Sequence, residues 1–354
     1  MIQILTYNEI DHAQWQALIA QSPYATWFQT PQAYEFYMSV SHEMTLFVYG
    51  VAASPKSSPK GKDLQLLGLV VGYVTRARNP LTQFFTRRAI IIGGPLLAED
   101  ISEEALTALL NSIKKLPSLQ GRGGERLPIY IEIRNLHDYS PWHHAFEQAG
   151  FSYQPHLNIQ VTCNAAHTMS EQRIRQVKKA FKNGAIIAEA QTEQEVRDWY
   201  KILKQLYRTK VRTPLWSEEF FVQFYRNGVG KYLLVKYNEK VIGGMMCPIL
   251  DGKTIYEWYV CGLDEEYREL CPSVMATYAA IEYAKENGLP LFDFMGAGKP
   301  DVPYGVRDFK MEFGGELVEY GRYLHICKPL LYKIGKIAVK IMKKGKIFGF
   351  LEKI

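Results

Sequence analysis

AFEQAGFSYQPHLNI, residues 145–159, and FKMEFGGELVEYGRYLHI, residues 309–326, run in the same order: a short helical turn, a glycine, then strand. Each follows a strand opened by Leu-Pro, LPIYIEIR at 127–134 and LPLFDFM at 289–295. Apolar, β-branched and aromatic runs bounded by Gly and Pro are strand signals. Their recurrence in the two halves of the chain points to an internally duplicated α/β unit.

The surrounding segments fit that plan. Residues 45–51 (TLFVYGV) and 64–76 (LQLLGLVVGYVTR) read as strands joined by a loop rich in Ser, Pro and Lys. AIIIGGPLL continues as strand. Ser102 then N-caps EEALTALLNSIKKL, which has acids in its first turn and lysines in its last. FSYQPHLNIQVTC reads as one final strand of the first half. The second half opens with two helices, SEQRIRQVKKAFKNG and TEQEVRDWYKILKQLYRTK, the latter stopped by Pro214. KYLLVKYN, VIGGMMCPIL and TIYEWYVCGL read as three strands, and PSVMATYAAIEYAKENG as a helix with Gly288 as its cap. This places a first unit at 1–165, a second at 166–328 and a tail at 329–354.

The 354 residues suit two cores at about 150 residues per domain. With 47% hydrophobic and 22% charged residues, the composition is that of a globular protein. Five cysteines without CxxC spacing argue against a disulfide framework or a zinc site and for a reducing compartment. The N-terminal MIQILTYNEIDHAQW lacks the apolar core of a signal peptide, and no apolar run approaches the roughly 18 residues of a membrane span. A cytoplasmic protein is expected.

Mixed strands with a helix after the fourth, and AGF (149–151) before the last, resemble the GNAT acyltransferase fold. Two tandem copies with a late DFMG (293–296) and FKMEFGGE (309–316) resemble the Fem family, whose members add amino acids to the peptide of peptidoglycan precursors. The resemblance covers nearly the whole chain in architecture, and its specific residues concentrate between Asp293 and Tyr320. It implies an α/β chain of two GNAT-like domains followed by a basic amphipathic helix. It also implies a peptide-bond-forming aminoacyltransferase without a resident cofactor, whose donor is aminoacyl-tRNA and whose acceptor is a lipid-linked or nucleotide-linked muropeptide.

The Fem pattern has a lysine after phenylalanine in the donor cleft, matched by Phe309-Lys310. A fixed cation there stabilises the negative charge that builds on an ester carbonyl under attack by an amine, or equally neutralises the terminal phosphate of the tRNA. Phe309 would stack on the terminal adenine. The plain alternative is a solvated strand lysine beside a core phenylalanine. Asp293 either orients Lys310 or the amine, or binds loop amides. Along the basic helix 173–184, Arg175, Lys178 and Lys179 suit tRNA or phosphate, against the alternative of a solvated face. The acceptor-binding residues of the family fall nearest to Thr209, Arg212 and Tyr256, and the lysine usual near the N-terminus is not evident in FQTPQAYEFY, 28–37.

A CoA-binding GNAT needs a glycine-rich loop whose N–H groups cradle pyrophosphate at a helix start. Here DEEYRELCPSVMATY, 264–278, is acidic, and Pro272 removes a donor. An acyl-CoA N-acyltransferase, or a non-catalytic precursor- or lipid-binding module, stand as alternatives. His143 and His144, adjacent on a helix, diverge by about 100° and do not jointly ligate a metal.

The tail reads PLLYKIGKIAVKIMKKGKIFGFLEKI. On a helix, Leu330, Leu331, Ile334, Ile337, Ala338, Ile341 and Met342 fill one arc, and Lys333, Lys336, Lys340, Lys343 and Lys344 the opposite one. Two readings follow: peripheral contact with the inner face of a membrane, with Phe348, Phe350 and Leu351 as anchors, or packing of the apolar arc on the body.

Overall fold

Long, largely buried strands build the first sheet. The computed structural model describes residues 2–54, 64–75, 87–115, 128–163 and 169–343, the side chains of 338–343 excepted. Most of the loop expected after residue 51, and the aromatic anchors of the tail, lie outside the described residues. The chain divides into Met1–Gln154 with Tyr320–Ile354, and Pro155–Glu319.

The first unit runs β1 (Ile2–Thr6), α1 (His12–Gln21), α2 (Pro31–Ser39), β2 (Met44–Ala53), β3 (Gln65–Thr75), β4 (Ala89–Gly93), β5 (Leu96–Leu97), α3 (Glu103–Lys114), β6 (Tyr130–Asn135), α4 (His143–Gln148) and β7 (Ser152–Gln154). The caps explain the helix starts. Asp11 accepts from the Ala13 and Gln14 amides at 2.7 and 3.0 Å, and Ser102 from Ala105 at 3.2 Å. Leu106, Leu109, Leu110 and Ile113 on α3 are fully buried against Val51, Val70, Ile91, Ile131 and Ile133. Each such side chain contributes about 1.5–3 kcal/mol on burial.

The second unit runs β8 (Leu157–Thr162), α5 (Glu171–Lys182), β9 (Ile186–Glu189), α6 (Glu193–Leu206), a π-helical turn (Tyr207–Val211), α7 (Glu218–Arg226), β10 (Gly230–Tyr237), β11 (Lys240–Leu250), β12 (Thr254–Tyr256), β13 (Tyr259–Gly262), α8 (Pro272–Glu286), β14 (Leu291–Asp293), α9 (Gly305–Met311) and β15 (Glu316–Glu319). The chain then returns to the first unit as β16 (Arg322–Ile326) and α10 (Pro329–Lys343). Neither β9 nor α7 is anticipated from the sequence.

The strand orders are β1-β2-β3-β4-β6-β16-β7 and β15-β8-β14-β12-β11-β10-β9. β4–β6 and β12–β14 are parallel and the other pairs antiparallel. In both sheets, therefore, the strand after the parallel pair comes from the other half of the sequence. What reads as one final strand, FSYQPHLNIQVTC, breaks at Pro155-His156 into β7, in the first sheet, and β8, in the second. β8 seats Ile159 and Val161, both 0% exposed, in the second core. β16 seats Tyr323 in the first. The units thus differ from the consecutive blocks 1–165, 166–328 and 329–354, because ladder hydrogen bonds and buried apolar faces, not chain contiguity, assign each strand. TIYEWYVCGL likewise splits: β12 joins β14 and β13 joins β11.

Candidate active site

Lys310 lies on a helix, not a strand: α9 carries it in its last turn, only 8% exposed. Its Nζ donates to the carbonyls of Phe294 and Gly296, each at 2.9 Å, and pairs with a Glu257 carboxylate oxygen at 2.8 Å. An ammonium has three protons, so these acceptors match its full capacity. The Phe294 ring centroid lies 5.1 Å from the nitrogen. The loop that presents the carbonyls is shaped by Asp293. Its carboxylate accepts from the Met295 amide at 2.6 Å, from Asn158 at 2.9 and 3.0 Å, and from Gln160 at 2.8 Å. Met295 takes φ +56°, a conformation that a non-glycine residue holds only where its surroundings impose it.

Glu257 closes the cluster. Its amide donates to the Asp293 carbonyl at 2.9 Å, tying the end of β12 to β14. Burial pushes the Glu257 carboxyl above its ordinary range, with the Lys310 charge opposing and the Asp293 charge adding. Burial also raises Asp293, against the hydrogen bonds from Gln160, Asn158 and Met295. Charges removed from water persist when paired and hydrogen-bonded. Of the alternatives for Lys310, the solvated strand residue is replaced by a buried, partnered cation.

Beside this cluster Phe309 faces a cavity of about 360 Å³ that is also lined by Arg173, Gln176, Asp264, Arg268 and Ser273. Lys310 does not line it. Arg173, on the buried side of α5 with Val177 and Ala180, holds its guanidinium 4.5 Å above the Phe309 ring. Its Nη1 donates to Gln176 at 2.6 Å, and its Nε lies 3.2 Å from a Glu312 oxygen, close enough for an ion pair but not aligned as a hydrogen bond. The wall opposite is the start of α8. There Asp264 accepts from the Ser273 amide at 3.0 Å and from the Ser273 hydroxyl at 2.5 Å. The helix N-terminus, which attracts phosphate groups, already has a carboxylate on it.

The other residues singled out in the sequence fall in three places. Tyr256 is buried at the end of β12 beside Glu257, in register with Asp293. Thr209 and Arg212 are exposed at the π-helical turn: the Thr209 hydroxyl donates to the Gln205 carbonyl at 2.8 Å, and Arg212, at φ +54°, donates to the Thr209 carbonyl at 3.2 Å. Arg175, Lys178 and Lys179 are exposed on α5, where Arg175 lies 3.7 Å from Glu171 and Lys179 pairs with Glu269. So Lys310, Asp293 and Tyr256 come together, Phe309 faces the cavity, and the basic residues that reach it are Arg173 and Arg268. Glu257, Arg173 and Arg268 were missed. Glu257 had a visible signal, a lone carboxylate inside the apolar run TIYEWYV. Arg173 shares the helical face of Val177 and Ala180.

The remaining candidates stay structural. His143 contacts the Tyr323 hydroxyl at 3.2 Å and Glu147 at 3.1 Å, and His144 contacts Glu103 at 2.6 Å. Among the described residues no group of three or more His, Cys, Asp or Glu is arranged to hold a metal. Burial pushes the Cys163 thiol up to about 11 and raises Cys247 and Cys261 well above the ordinary thiol range, which disfavours the thiolate.

Residues 170–311, which contain both the cavity and Lys310, match the sequence family described as Acetyltransferase (GNAT) domain. The structure is similar to FemX, with a TM-score of 0.66 at 14% identity over 94% of this chain and 99% of that one. It is also similar to a tandem GNAT protein from the clavulanic acid biosynthesis pathway (0.53, 12%, 92% and 98%). A third similar structure is L-PGS from Bacillus licheniformis (0.51, 12%, 76% and 85%). No curated protein matches the sequence. At these identities the likeness is one of fold: two tandem GNAT-like units, as the Fem resemblance implied. The acyltransferase fold is thereby established, and it supports acyltransferase chemistry.

Proposed function

We propose that this chain, two GNAT-like units in tandem, transfers an aminoacyl group from aminoacyl-tRNA to an amine of a peptidoglycan precursor peptide, lipid-linked or nucleotide-linked. The observation that carries this reading is Asp264 at the head of α8. A CoA donor would bring a pyrophosphate to that helix start, where the carboxylate repels it and has taken the Ser273 amide. An ester donor needs no such seat. The cavity offers it two arginines for a terminal phosphate and an aromatic ring for a base.

In the reaction the free amine attacks the ester carbonyl. The C–N bond forms, the C–O bond to the ribose breaks, and the proton lost by nitrogen ends on the ribose oxygen. Lys310 is the cation of this reading. With its three protons held by Phe294, Gly296 and Glu257, it would act by its charge through that loop and not by direct contact. Phe309, its neighbour in sequence, forms the cavity wall. Tyr256, Arg212 and Thr209 are its acceptor contacts, and Arg175, Lys178 and Lys179 its contacts to tRNA phosphates. The match of 170–311 to an acetyltransferase family favours a second reading, N-acylation from acyl-CoA. Thermal shift separates them. Charged tRNA is expected to raise the melting temperature while acetyl-CoA leaves it unchanged. Protection by acetyl-CoA alone overturns the proposal in favour of the second reading, and protection by neither leaves a binding module.

A further inference from the structure

We infer that α10 is an interfacial helix that lays its exposed apolar stripe on the surface of an anionic bilayer. Leu330, Ile334 and Ile337 are 75%, 47% and 60% exposed. Spaced four and three residues apart, they fall within about 60° on a helix and form one stripe. The body is met by a different side of the helix. There Tyr332 sets its ring edge-on against Tyr130 at a centroid distance of 5.4 Å, and Leu331 is half-buried. Packing of the apolar arc on the protein therefore accounts for Leu331 but not for the stripe. Lys333 and Lys336, both exposed, border the stripe on one flank, with the Lys336 ammonium 5.6 Å from the Tyr332 ring centroid. A helix whose solvent side is part aliphatic and part lysine suits an interface where chains are buried and ammonium groups meet headgroups.

Charge selects the occupant. Residues 329–354 hold seven lysines and one glutamate, which leaves 35 basic and 35 acidic residues in the rest of the chain. The whole net charge of +6 thus resides in this terminal stretch. A segment of this charge repels a second copy of itself and attracts anionic lipid. Among the described residues no helix is long and apolar enough to cross a membrane, so the contact is superficial. It is independent of the donor the catalytic site takes.

The test is vesicle co-flotation of the full chain on phosphatidylcholine alone and on phosphatidylcholine with 30% phosphatidylglycerol, at low and high salt. Binding is expected only to the anionic vesicles and is expected to weaken with salt. Lys333→Gln with Lys336→Gln should lower the partition coefficient about 30-fold, at roughly fivefold per lysine. Leu330→Ser, Ile334→Ser and Ile337→Ser together should abolish binding, with an unchanged melting temperature because these side chains do not pack on the body. Absence of flotation of the wild type, or equal binding to both vesicle types, overturns the inference. So does a concentration-dependent dimer that the triple serine variant dissolves, since the stripe then belongs to a second copy.

Discussion

The two units share a sheet order and a helix end, yet bury different chemistry at the same place. After α4 the Gly150 amide bonds the Glu147 carbonyl at 2.8 Å, and after α9 the Gly314 amide bonds the Met311 carbonyl at 3.1 Å. Both glycines take positive φ, +77° and +81°, to turn the chain into the next strand. Aligned on these turns, Phe146 corresponds to Lys310. Phe146 is fully buried and stacked on Tyr323 at 3.7 Å with an interplanar angle of 7°. Lys310 occupies the matching position as an ammonium held by two carbonyls and Glu257. The first unit demonstrates that an apolar side chain satisfies this fold. A buried ion pair is seldom more stabilising than apolar packing of like volume, so the cation in the second unit is not required by the architecture. Under the proposed function, this is the charge that the second unit keeps for chemistry.

The exchange of strands gives the largest expected effect. β16 lies between β6 and β7, and Tyr323 is in the first core. Deleting 320–354 strips the first sheet of an inner strand and is expected to unfold that unit, a loss on the scale of a whole domain, about 5–15 kcal/mol. Deleting 329–354 keeps β16 and should leave most of the stability. Urea titration followed by hydrogen exchange of unit-specific peptides checks this. Equal stability of the two truncations would mean that the first unit does not depend on the returning strand.

Next in size is the Lys310–Glu257 pair. Lys310→Met leaves a buried carboxylate without its cation and is expected to cost about 3–5 kcal/mol. Adding Glu257→Met should restore most of that loss, as the phenylalanine of the first unit suggests. Transfer activity should stay down by about 10²–10³-fold, the range for removal of one charge-stabilising group. Chemical denaturation and a transfer assay on the same double variant separate the two effects. Recovery of activity together with stability would make the pair a structural feature only.

Local signals were legible and long-range ones were not. Ser102 caps its helix, and Gly288 at φ +66° follows α8, because both depend on residues a turn away. The β7–β8 break had a local signal in Pro155, but only partners far along the chain decide which sheet each part joins. The α7 segment SEEFFVQFYRNG carried a helix start and a glycine stop, but its aromatics and the preceding Pro214 masked them. Lys310 was legible as a residue of interest from its flanking motifs. Its acceptors were not, since Glu257 and the Phe294 and Gly296 carbonyls are assembled by β12, a strained loop and α9 together.

Acid provides the finest contrast, because buried glutamates in the two units titrate in opposite senses. In the first unit burial would raise the Glu132 carboxyl, but Arg134 and Arg322 and the hydrogen bonds they donate, at 2.8–2.9 Å, outweigh it and hold it at about 2. A carboxyl lowered in the folded state contributes its stability above the unfolded value of 4.5 and loses it as pH falls toward 2, here at most roughly 3 kcal/mol. Glu257 is raised instead, so the folded second unit binds that proton more tightly than the unfolded chain, and this group opposes unfolding as pH falls. Acid is therefore expected to open the first unit before the second. Hydrogen exchange between pH 5 and 2.5 should show protection lost first in peptides of 2–154. Glu132→Gln should flatten the acid slope of that unit and leave the second unchanged. If the second unit opened first, or Glu132→Gln kept the wild-type slope, the two arginines would not be what holds Glu132 ionised.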